Sequence, residues 1–180
     1  FQLNLAMSRF TSAVQTFVQT FILTASAEAI YRRFFPEKMA LEKIFTNVGL
    51  RTKTTMRGLI SGTSAFGTHL GWIVLFYLAG RPLGLWCPLE VQNEESLSSY
   101  VPFFSARHVG FTASLTEEFT YRVIGLIAFQ RLVKNFWVAN LLQAAAWAFM
   151  HSNYPQEPPY ARGAELTVVG FFYGTILRFF

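Results

Sequence analysis

"GLISGTSAFGTHLGWIVLFYLAG", residues 58–80, runs for 23 residues without a formal charge at neutral pH. About 20 consecutive apolar residues are enough to cross the hydrocarbon core of a bilayer. The stretch therefore reads as a membrane-spanning helix, and the rest of the chain is read outward from it. The composition agrees: 52% of the 180 residues are hydrophobic, 20 are phenylalanine and 14% are charged, where a soluble domain carries about a quarter charged residues. The expected fold class is all-α, a polytopic membrane helical bundle of about five transmembrane helices plus one interfacial amphipathic helix.

Four further segments fit that expectation. Phe10 to Ala27 is charge-free between Arg9 and Glu28, though rich in threonine and glutamine; Arg107 to Leu132 and Phe136 to Met150 follow, and Gly163 to Phe180 closes the chain. In "PEKMALEKIFTNVG", Leu41, Ile44, Phe45 and Val48 recur at helical spacing with lysines and glutamates on the other face. Pro36 suits the start of that helix and Gly49 its end, and the reading is a helix lying in the membrane interface. Gly58/Gly62 and Gly67/Gly71 have the GxxxG spacing that lets helices approach closely.

The net charge of +5 is uneven. Arg32, Arg33, Lys38, Lys43, Arg51, Lys53 and Arg57 lie between 31 and 57 against Glu37 and Glu42. Beside membrane spans such a basic loop marks the cytoplasmic side, so nucleic acid is not expected as a partner. Alternation of the spans then puts Arg131, Lys134 and Arg178 on that side, and the loop after His151 opposite. The polar stretch "LEVQNEESLSSYVPF" forms a second loop away from the basic one. One cysteine, Cys87, leaves no disulfide framework and no CxxC metal site. Phe1 is not an initiator methionine, residues 1 to 9 lack the basic, then apolar, then small-residue order of a signal peptide, and Phe180 falls within an apolar run. The sequence reads as an internal piece of a longer chain.

"TEEFTYR", residues 116–122, sets two glutamates and an arginine between the uncharged stretches "VGFTASL" and "VIGLIAF". An ionisable group near the bilayer centre costs about 2.5–3.5 kcal/mol on insertion scales, so it has a partner and marks a functional site by default. Glu118 and Arg122, four apart, are expected to pair along one helix face, leaving Glu117 directed at a neighbouring element. From Glu117 to Lys134 is 17 residues and from Asn135 to His151 is 16. With a tight turn at 134–135 the two helices run back antiparallel, bringing Glu117 and His151 to one depth. Ala144, Ala145, Ala146 and Ala148 allow that second helix to come close. A glutamate facing a histidine out of bulk water is equipped to activate a water molecule, or to supply two ligands of a divalent metal such as zinc. His69 and His108 have no comparable carboxylate pattern and read as structural.

"EEFTYR" and "WAFMH", with their order and spacing, resemble the EExxxR and aromatic-xxx-His motifs of the CPBP intramembrane proteases, the family of the type II CAAX prenyl endopeptidases and bacterial Abi proteins. The resemblance covers Arg107 to Phe180, including the glycine- and aromatic-rich "ELTVVGFFYGTILRFF". It implies a core of residues 107–180 behind N-terminal membrane helices of residues 1–106. Glu117 would activate the hydrolytic water with His151, while Glu118 and Arg122 organise the site, on a membrane-associated peptide or protein substrate. Trp147 stands where phenylalanine is more usual. A further family helix bearing another histidine does not occur within these residues. Two other functions are weighed beside hydrolysis: a non-catalytic, CPBP-like subunit assembled with other membrane subunits, and a transporter segment, which leaves His151 unexplained.

Overall fold

The computed structural model describes residues 2–36, 43, 46–88 and 101–179. Among them it is all-helical. The elements are α1 (Gln2–Phe34), α2 (Asn47–Leu50), α3 (Lys53–Gly80), a 3-10 turn (Arg81–Leu83), α4 (Pro102–Glu117), a π-helical segment (Glu118–Gly125), α5 (Leu126–Val133), α6 (Phe136–Phe149) and α7 (Ala161–Phe179). Helix α4, the π segment and α5 follow one another without a break, so the expected span 107–132 is one long helix with a widened middle.

Local chemistry sets the boundaries. Thr52 caps α3 by accepting from the Thr55 amide, which occupies one of the donors a helix start leaves open. Lys134 adopts a left-handed conformation (φ 54°) and Asn135 accepts from the Trp137 and Val138 amides. These two residues make the tight turn that folds α6 back along α5. Leu41, Ile44 and Phe45 of the expected interfacial helix lie outside the described residues, as does most of the loop that follows Pro88. Val48 lies in α2 and is exposed.

The core lies on α6 and α7. Gly170 sits against Ala144 and the Trp147 ring, and Gly174 against Asn140. Asn140 donates to the Phe171 carbonyl (2.8 Å) and Gln143 to the Gly170 carbonyl (3.2 Å). Side-chain amides thus bond across a contact that small residues make close. The alanine face was expected to admit the preceding helix; Ala144 instead meets α7, while Ala146 is exposed. Nor do the GxxxG pairs of α3 bring a described helix near, since no described residue lies within 4 Å of the Cβ position of Gly58, Gly62, Gly67 or Gly71.

Helix α1 closes over the π segment, with Ala27 buried against Phe119 and Val123. Helix α3 meets the bundle through His69 and Trp72, and its far end is tied to the loop after α6 by paired backbone bonds between Trp86 and Glu157 (2.8 and 2.9 Å). At the opposite end Arg131 lies over Phe34 (5.0 Å) and Arg178 over Phe136 (4.3 Å).

Polarity is inverted relative to a soluble protein. Of the five largest fully buried side chains, Arg122, Gln143, Glu165 and Asn140 are polar. Phe10, Phe17, Phe21, Leu59, Phe66 and Leu75 are among the exposed ones. Among the described residues one helical stretch, Lys53–Leu83, is long and apolar enough to cross a membrane, and Phe136–Phe149 is apolar but shorter.

The α6–α7 contact makes a direct test. A methyl group on Gly174 would run into the Asn140 amide, whereas Gly58 faces open space. Gly174→Ala should destabilise the chain by about 1–3 kcal/mol through overpacking, and Gly58→Ala should leave stability unchanged or slightly raised. Thermal unfolding of the two variants in detergent distinguishes them; equal midpoints would contradict the close approach.

Candidate active site

The π segment changes how the charged triplet is presented. In an α-helix of about 3.6 residues per turn, Glu117 and Arg122 would point roughly 140° apart. In the wider π-helix, whose bonds run from residue i to residue i+5, residues five apart come much nearer to one face. Glu117 and Arg122 consequently share one partner, Trp147 of α6. The indole Nε1–H donates to Glu117 Oε2 at 2.7 Å, and the Arg122 guanidinium carbon lies 3.8 Å from the centre of the Trp147 ring. Beside this cation–π contact Arg122 has an ion contact, its Nε lying 3.7 Å from Glu118 Oε2, and none of its nitrogens has a hydrogen-bond acceptor among the described residues. The expected Glu118–Arg122 pair is present as an ion contact, and Glu117 is bound rather than left over.

His151 follows the end of α6, one helical turn beyond Trp147. Its Nδ1 lies 2.9 Å from the Trp147 carbonyl oxygen. A carbonyl only accepts, so Nδ1 carries the proton, and in the neutral ring Nε2 presents a lone pair. That Nε2 lies 4.0 Å from Glu117 Oε2. The separation is too long for a direct hydrogen bond and suits one water molecule held by both groups. The Glu117 side chain is 34% exposed and that of His151 21%, so the gap is open to solvent molecules. The four residues singled out in the sequence, Glu117, Glu118, Arg122 and His151, therefore gather around one tryptophan.

A second glutamate–histidine pair was missed. Glu165, fully buried in α7, has Oε1 4.0 Å from His69 Nε2, while its Oε2 accepts from Arg162 at 2.6 Å. His69 Nδ1 is 3.0 Å from the Tyr173 hydroxyl. His69, read as structural for want of a carboxylate nearby, has one from the other end of the chain. The signal was available: Glu165 is a lone carboxylate in an apolar helix, the same anomaly that drew attention to residues 116–122. Nothing is described of the His108 side chain.

Catalytic zinc takes three protein ligands and an open position. Glu117 and His151 supply two, and no group of three His, Cys, Asp or Glu side chains comes together among the described residues. These residues do not fit a metal by themselves, and no step is derived through one.

Residues 100–179 match a family model described as type II CAAX prenyl endopeptidase Rce1-like. This segment is similar to the Rce1-like family. The match spans α4 through α7 and contains all four expected site residues together with Trp147, Glu165 and Tyr173. No curated protein and no solved structure matches the chain. The Rce1-like assignment agrees with the resemblance carried by "EEFTYR" and "WAFMH", and at family level it supports a membrane-embedded, CAAX-type endopeptidase.

Trp147, the departure from the usual phenylalanine, supplies the N–H that holds Glu117. Trp147→Phe keeps a ring under Arg122 and deletes the donor. The expected loss is about 1.5 kcal/mol, the lower end for a hydrogen bond to a charged group because Glu117 is partly solvated. Trp147→Leu, which removes the aromatic face as well, should lose more. Unfolding in detergent that ranks Trp147→Phe level with the parent would show the Trp147–Glu117 bond to be idle.

Proposed function

We propose that the chain contains the core of an intramembrane CAAX-type endopeptidase, in which Glu117 and His151 hold and activate the water that cleaves a peptide bond. The reading rests on one observation above the others: the 4.0 Å gap between Glu117 Oε2 and a His151 Nε2 whose lone pair is fixed by the Nδ1 bond.

A water in that gap gives one O–H to the Glu117 carboxylate and the other to His151 Nε2. Its oxygen lone pair is then free to attack the scissile carbonyl carbon. Glu117 takes the water's proton as the new C–O bond forms, and returns it to the leaving nitrogen as the C–N bond breaks. Trp147, bonded to the same carboxylate, keeps Glu117 from swinging away from the imidazole. Arg122 stacks on Trp147 and Glu118 faces Arg122, so both act on the base through the indole. The substrate class that the family supports is a membrane-associated prenylated peptide.

In this reading the protein is a multi-pass membrane protein with residues 31–57 on the cytoplasmic side. Residues 1–106 form supporting helices and 107–180 the catalytic core. Exposed phenylalanines on α1 and α3 face lipid, and the buried polar groups line or brace the hydrated hollow. A bilayer offers backbone and side-chain polar groups no alternative partner, so they are satisfied inside the bundle.

General acid–base groups contribute about 10²–10⁴-fold. Glu117→Gln and His151→Ala should each lower turnover of an internally quenched farnesylated CAAX peptide by about 100-fold or more, in detergent or in proteoliposomes. Unchanged turnover in both variants would overturn the mechanism.

A further inference from the structure

The His69–Glu165 pair is unused by the mechanism above, and its geometry is unusual. Glu165 Oε1 and His69 Nε2 are both buried and without a hydrogen-bond partner, and they face each other across 4.0 Å. Buried polar atoms left unpaired call for an explanation. The bond from Arg162 marks Glu165 as a carboxylate. The Glu165 charge opposite favours the His69 tautomer with its proton on Nε2, although 4.0 Å is too long for a direct hydrogen bond. Nδ1 of the neutral ring then holds the lone pair and accepts from the Tyr173 hydroxyl. That tautomer is the opposite of the one the Trp147 carbonyl sets at His151.

Tyr173 leads back to the site. The Arg122 guanidinium carbon lies 5.9 Å from the Tyr173 ring centre as well as 3.8 Å from that of Trp147. A continuous path therefore runs from Glu165 through His69, Tyr173, Arg122 and Trp147 to Glu117. Apolar residues would join α3 to α7 without burying a carboxylate, so simple adhesion does not account for the pair. We propose that Tyr173, its hydroxyl oriented by the His69–Glu165 pair, is a positioning residue for Glu117, acting through Arg122 and Trp147. This deepens the endopeptidase reading and rests on it for its catalytic consequence, though not for its structural one.

The structural consequence can be read without a substrate. The chain of residues 1–180 labelled with ¹⁵N-tryptophan has four indole N–H groups, and that of Trp147 is identified in detergent micelles by its loss in Trp147→Phe. Glu117→Gln should shift this resonance toward that of a free indole. Tyr173→Phe, which removes only a hydroxyl, and His69→Leu should shift it the same way, while His69→Gln, which retains a donor and an acceptor, should restore part of the shift. A Trp147 resonance that moves in Glu117→Gln but stays fixed in Tyr173→Phe and His69→Leu would overturn the proposal.

On the farnesylated peptide, Tyr173→Phe and His69→Leu should each lower kcat about 10-fold or more with KM nearly unchanged, and the double variant should lose no more than either single one. Unaltered kcat, or additive losses, would remove the relay and leave the role of Glu117 standing provided Glu117→Gln is inactive. If Glu117→Gln cleaves as the parent does, or the parent does not cleave, the hydrolytic reading fails instead, and the Trp147 resonance alone decides the relay.

Discussion

The seat that Glu117 and Arg122 share on Trp147 holds the polar interior of this protein together. A guanidinium taken fully out of water carries a desolvation penalty of several kcal/mol, and Arg122 meets it with no hydrogen-bond acceptor at all. What remains is the indole face at 3.8 Å and the Glu118 carboxylate at 3.7 Å. The arrangement works because the indole is polarised in a complementary way. Its face takes the cation and its edge N–H takes the Glu117 carboxylate, so one side chain is a partner for two opposite charges. Phenylalanine offers the face without the edge donor.

The rest of the bundle is disposed to keep that seat in place. Trp147 is backed by Gly170, where a side chain would press on its ring, and by Leu166 and Val169 of α7. Helix α7 is itself anchored by the Asn140 and Gln143 amides, so the polar contacts between α6 and α7 fix the platform on which the charges rest. On the outside the apolar faces of α1 and α3 are exposed among the described residues. In water that surface would far exceed the apolar patches that monomeric soluble proteins expose. Against lipid it is an ordinary exterior, and the α3 stretch Lys53–Leu83 is long and apolar enough to cross a membrane.

Several of these features were legible in the sequence, each for a definite reason. The charge-free run at 58–80 and the turn at 134–135 are local signals, and local signals survive folding: α3 and the α5–α6 turn lie where they were expected. The match in depth between Glu117 and His151 follows from counting residues along two antiparallel helices of fixed rise, and it brings the two side chains to 4.0 Å. Two kinds of information were not available in this way. One is contact between distant segments, of which His69 and Glu165 are the example: 96 positions apart, they have no spacing rule to join them. The other is the direction of a helix face. Ala144 and its neighbours announced a close approach correctly but not to which helix, and the glycines of α3 announced one that the described residues do not make.

The π segment belongs with these failures of periodicity, and it bears on how such a motif should be read. Taken at α-helical spacing, the doublet and arginine of "EEFTYR" divide into a bonded Glu118–Arg122 pair and an orphan Glu117. In the wider π-helical turn Glu117 also comes round toward the face of Arg122, which keeps Glu118 as a neighbour. The contacts show both neighbours, since Glu118 lies beside Arg122 and Trp147 touches the two residues that are five apart. A segment of i to i+5 bonding inside an apolar helix is rare and recurs at functional sites because it re-aims side chains without breaking the helix. Here it turns a carboxylate that would otherwise point away from its cation toward the same indole and the imidazole one turn beyond. The geometry of the candidate base is therefore set by the backbone of 118–125 as much as by the residues that touch it.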